Sequence, residues 1–160
     1  MGDNWVKLLT CKRLAGRSRM AYKKDVRTAA LRHFRAAQVL YGQAGPGDQP
    51  GCRAVAGYLF GIAGELAVKE LMRASGMMPS QGVDRRDDPF FAHFPGLKTM
   101  LATAAQGRRA GELRRLSEDS RLFQNWDIEM RYAPTKDISA NWVEAWKASA
   151  EELISRMATA

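Results

Sequence analysis

The sequence predicts an all-α fold, an up-and-down bundle of about five helices, on three observations. Between Ala54 and Ala67 the only charge is Glu65, and Ala56, Gly57, Gly61, Ala63 and Gly64 alternate with Tyr58, Leu59, Phe60 and Ile62. Two other long stretches, Ser18–Gln43 and Ile138–Met157, repeat apolar residues every three to four positions, the period of a helix with one buried face. No segment alternates apolar and polar residues as a half-buried strand does.

Taken in order, residues 1–17 form a basic arm. Trp5, Leu8 and Leu9 stand among Lys7, Lys12 and Arg13, with Arg17 closing the arm and Arg19, Lys23 and Lys24 extending its charge. Residues 18–160 are expected to form a single domain. The first long helix is predicted over Ser18–Gln43, with Ser18 as cap and Tyr22, Val26, Ala29, Ala30, Phe34, Ala37, Val39, Leu40 and Tyr41 on its apolar stripe. His33 is expected on its surface. The segment 44–51, AGPGDQPG, reads as a loop. Cys52–Ser75 follows as the central helix, apolar nearly all round and therefore buried by several neighbours, and stopped at Gly76. Its uncharged run is too short and too rich in glycine to span a bilayer.

Residues 77–94 form a long connection rich in Pro, Gly and Asp. Helices are then predicted over Pro95–Ala105, with Pro95 in the first turn and Leu97, Met100 and Leu101 inward, and over Ala110–Phe123. In the last helix, Ile138–Met157, the stripe includes both Trp142 and Trp146.

Charge is divided unevenly. Residues 1–35 hold ten Lys or Arg against Asp3 and Asp25, which accounts for the whole net charge of +8; the rest holds fifteen of each sign. Attraction to an acidic partner therefore belongs to the N-terminal quarter. Arg108, Arg109, Arg114, Arg115 and Arg121 fall within fourteen residues, but Glu112, Glu118 and Asp119 offset them. Two cysteines, Cys11 and Cys52, that form no CxxC pair, and only two histidines argue against structural zinc and against a disulfide framework. No apolar leader opens the chain, so a cytoplasmic address is expected. Asp84, Asp87 and Asp88 near His93 read as a solvated turn, so neither a metal nor a cofactor is expected.

Glu65 is the anomaly. It stands four residues before Lys69, the favourable order for a surface ion pair, yet in the most apolar part of the chain. Buried there, it requires a cationic or hydrogen-bonding partner from elsewhere.

Three stretches in this order, GELAVKELMRASG (64–76), HFPGLKTML (93–101) and NWDIEMRYAP (125–134), resemble the HEPN domains, α-helical bundles of prokaryotic toxins, defence proteins and nucleotidyltransferase partners. The resemblance covers roughly residues 20–158. It implies a homodimer that binds a nucleotide, RNA or a protein such as a nucleotidyltransferase or antitoxin. Many HEPN domains are metal-independent ribonucleases with an Arg-x(4–6)-His motif at the start of the last long helix. Arg131 is placed like that arginine, but no histidine follows it. The resemblance therefore implies the non-nuclease branch, with Glu65 reaching Arg131 across the bundle and Lys69, Asn125, Trp126 and Tyr132 at the same end. Arg86 and His93 do satisfy the spacing, before the third helix rather than the last, and carry the alternative: cleavage of RNA with His93 as general acid–base and Arg86 on the phosphate.

Overall fold

The computed structural model describes residues 23–43, 52–107 and 110–160. The arm residues Lys7, Lys12, Arg13, Arg17 and Arg19, the Ser18 cap, Tyr22, the 44–51 loop, Arg108 and Arg109 lie outside these. Among the described residues there are five α-helices and no strand: α1 (Val26–Gly42), α2 (Cys52–Ala74), α3 (Gly96–Ala104), α4 (Gly111–Glu118) and α5 (Ala140–Thr159). None is long and apolar enough to cross a membrane.

The second helix is the hub. It packs along α1 and α5, while α3 and α4 pair with each other. Ala56, Phe60, Ala63, Ala67, Val68 and Met72 of α2 are fully buried, as an element apolar on every side must be. Its glycines are notches for aromatic rings. A Cβ on Gly61 would lie 1.9 Å from Cε2 of Trp126, one on Gly64 2.3 Å from Cε2 of Phe123, and one on Gly57 2.9 Å from Cε3 of Trp146. At Gly76, φ is +92°, and Met77 N–H returns to the Met72 carbonyl at 2.9 Å. That is the left-handed closure glycine permits.

Five details differ from the sequence expectation. Helix α1 is capped by Asp25, whose carboxylate accepts from Thr28 N–H at 2.9 Å and from the Thr28 hydroxyl at 2.8 Å. These bonds hold the Asp25 carboxyl below its usual range. Near the other end of α1, Val39, on the expected stripe, is 60% exposed. Helix α4 ends at Glu118, not Phe123. Leu122 and Phe123 are buried as expected, but Phe123 takes φ of 51° to set its ring in the Gly64 notch, which a continuous helix forbids. In α5, which starts at Ala140, Trp146 is buried and Trp142 is 38% exposed. The Phe94–Pro95 peptide is cis, and Pro95 caps α3 rather than filling its first turn.

Candidate functional site

Residues 58, 61, 65 and 69, spaced by three to four, line one stripe of α2. Two stretches far from it in sequence meet it, one of them at two heights. Near Tyr58 lies the 3-10 turn Ile128–Tyr132, at Gly61 lies Trp126, and at Glu65 lies His93.

Glu65 is buried at 3% exposure, and Lys69 at 8%. Lys69 Nζ donates to Glu65 Oε1 at 2.7 Å. The pair lies in the interior, not on the surface. Losing water from two charges is costly unless both find close partners. Glu65 finds a second one in His93, whose Nδ1 stands 3.0 Å from Oε1 and 2.9 Å from Oε2. A carboxylate facing Nδ1 on both oxygens favours a proton on that nitrogen, and in the neutral ring Nε2 then carries the lone pair. The His93 side chain is 48% exposed, and among the described residues Nε2 has no hydrogen-bond partner. Leu97 N–H donates to the His93 carbonyl at 2.8 Å, so the start of α3 positions the ring. The arrangement can hold a proton acceptor at a fixed point of the surface, backed by a buried acid.

Arg131 does not reach Glu65. Its guanidinium pairs with Glu129 at 3.3 Å, shares a hollow with Tyr58 and sits 4.7 Å from the centre of the Tyr132 ring. These partners stabilise its charged form. The expected pairing fails because Lys69 and His93 already occupy both oxygens of Glu65. Trp126 is buried beside the cleft that Asn125 also lines. It is 1% exposed, donates Nε1–H to the Gly57 carbonyl at 3.2 Å and stacks on Tyr58 with centroids 6.2 Å apart. Its bulk requires burial and its N–H a buried acceptor. Asn125 is also elsewhere, at φ of 61° beside this cleft of about 530 Å³ lined by Lys98, Thr99, Ser117, Ser120 and Asp127. The expected cluster is therefore divided: Glu65 meets Lys69 and His93, Arg131 and Tyr132 share the turn beside Tyr58, and Asn125 and Trp126 border the cleft.

Arg86 lies on the exposed 3-10 turn Arg85–Asp87, where Asp84 accepts from its N–H at 3.0 Å. No contact joins it to His93 among the described residues. Asp88 is buried at 2% and accepts from Ser80 N–H at 2.8 Å and Phe90 N–H at 2.9 Å, clamping the connection to α3. The Asp-rich loop is thus a set of turn caps. Among the described residues no three His, Cys, Asp or Glu gather as metal ligands.

Lys98 has a role that sequence reasoning missed. Its ammonium donates to the carbonyls of Asp119 and Leu122, and burial pulls its pKa below the usual value. A lone lysine between Leu97 and Leu101 carries no signal that it faces the carbonyls following α4. On α1 and the residues leading into it, Lys23, Lys24 and Arg32 are exposed around a hollow of about 610 Å³ that Asp25, Thr28 and Leu66 help to line. Family models, curated proteins and solved structures yield no match to this chain.

Proposed function

We propose that this chain is a HEPN-like, up-and-down helical module that binds RNA through its basic N-terminal quarter and works as a homodimer beside a protein partner such as a nucleotidyltransferase or antitoxin. One observation carries the binding: residues 23–43 hold five cations, Lys23, Lys24, Arg27, Arg32 and Arg35, against Asp25, and four of them are exposed on one helix and its approach. Cations so grouped attract phosphates and release counterions when they meet them. The HEPN-like reading is supported by the helix order, by the glycine-stopped central helix and by His93 opening α3. Retention of single-stranded RNA measured against salt tests the binding. Lys23→Glu with Lys24→Glu is expected to lower the slope of log affinity against log salt by about 0.7 for each phosphate that is no longer neutralised. An unchanged slope for this variant and for a chain lacking residues 1–17 refutes it.

A second reading, metal-independent cleavage of RNA, is favoured by the orientation of His93 on Glu65. His93 Nε2 takes the proton of a ribose 2′-hydroxyl, whose oxygen attacks the adjacent phosphorus. The 5′-oxygen leaves and is protonated in turn. Cleavage in EDTA that His93→Gln abolishes supports it. An RNA pool left intact at high protein concentration refutes it and leaves the binding module.

A further inference from the structure

We infer that Tyr132, backed by Arg131, is a stacking platform for a nucleobase of single-stranded RNA. The inference rests on the RNA-binding reading and adds to it a second kind of interaction, remote from the basic helix.

Three features of the turn Ile128–Tyr132 point this way. First, Tyr132 is 72% exposed, the second most exposed large apolar side chain among the described residues after Met78. Second, the ring is held. The Arg131 guanidinium covers it at 4.7 Å, and Arg131 is itself paired with Glu129 at 3.3 Å and lies beside Tyr58, which stacks on the buried Trp126. An aromatic surface fixed in advance loses little freedom when a base settles on it. Third, a hollow of about 190 Å³ adjoins it, with Val55 49% exposed beside Ala54, Met130 and Thr135.

Charge decides what the platform recognises. Across residues 129–137, Glu129 and Asp137 offset Arg131 and Lys136. A neutral patch does not draw a polyanion by its phosphates, so the platform must meet the base plane, the one part of RNA that is uncharged and aromatic.

The test is fluorescence anisotropy of the full chain with oligoadenylate and with an abasic ribose-phosphate oligomer of equal length, at two salt concentrations. Tyr132→Ala is expected to weaken oligoadenylate binding about five- to hundredfold, the range for removal of one stacked base. Tyr132→Phe retains it, the abasic oligomer is unaffected, and the salt slope does not change. Equal affinity of Tyr132→Ala and the unaltered chain for oligoadenylate overturns the platform alone. So does an equal weakening on the abasic oligomer, or a changed oligomeric state of Tyr132→Ala in sedimentation, which would assign the ring to a self-interface. If the unaltered chain binds neither oligomer, the RNA reading falls with it.

Discussion

Replacing Gly61 by alanine tests the packing on which every site above depends. The added methyl would lie 1.9 Å from Cε2 and 2.0 Å from Nε1 of Trp126. Trp126 cannot yield easily. It is 1% exposed, stacked on Tyr58 and edge-on to Phe94 and Phe123 with centroids 6.3 Å away in each case. Overpacking of this kind costs about 1–3 kcal/mol. Displacing the ring also strains the indole bond to the Gly57 carbonyl, a cost of about 0.5–1.5 kcal/mol. Against this, alanine is the better helix former by about 1 kcal/mol. The balance is a destabilisation of about 2 kcal/mol, which for a chain of this size lowers Tm by about 4–8 °C. Thermal unfolding followed by far-UV circular dichroism reads it. Gly111→Ala in α4, where an added Cβ meets nothing within 4 Å, is the control and should raise stability by a few tenths to about 1 kcal/mol. A Gly61→Ala variant as stable as Gly111→Ala would show that no ring occupies the notch.

Glu65→Gln removes the anion from a lysine that is 8% exposed and should cost about 3–5 kcal/mol; the double change Glu65→Leu with Lys69→Met should be far milder, and urea midpoints compare the two. His33 is held below its ordinary value by burial first and by Arg32 second. The fold therefore favours its neutral ring, so this contribution is complete above about pH 6.5 and is lost as pH falls further. His33→Asn should flatten the stability decline below about pH 6.5, and an identical pH profile would refute the assignment. Asp88→Ala leaves the N–H groups of Ser80 and Phe90 without their acceptor, a cost of about 1–3 kcal/mol. Limited proteolysis within residues 77–94 should accelerate.

The hub helix is legible in the sequence because its composition leaves one physical option: a segment without charge or a polar face must be enclosed. Glu65 is legible as an anomaly for the same reason, but its partner is not. His93 lies 28 residues away, beyond a connection whose path is fixed by Asp88 and by α3 rather than by any local period. The burial of Trp126 escapes sequence reasoning because its neighbours Asn125, Asp127 and Glu129 are polar, and a single apolar ring in such a run carries no periodic signal. The first helix begins later than its spacing predicts for the opposite reason. Apolar residues keep helical spacing upstream of Asp25, while the cap that starts the helix there is a single carboxylate.

Rings seated in successive notches of one helix have a mechanical consequence. Phe123, Trp126 and Trp146 key the 119–127 segment and α5 to fixed heights on α2, so an axial slide of even one residue, about 1.5 Å, would drive all three rings into backbone at once. A piston stroke is closed to this molecule. Relative motion of these elements is left to tilting or to local loosening.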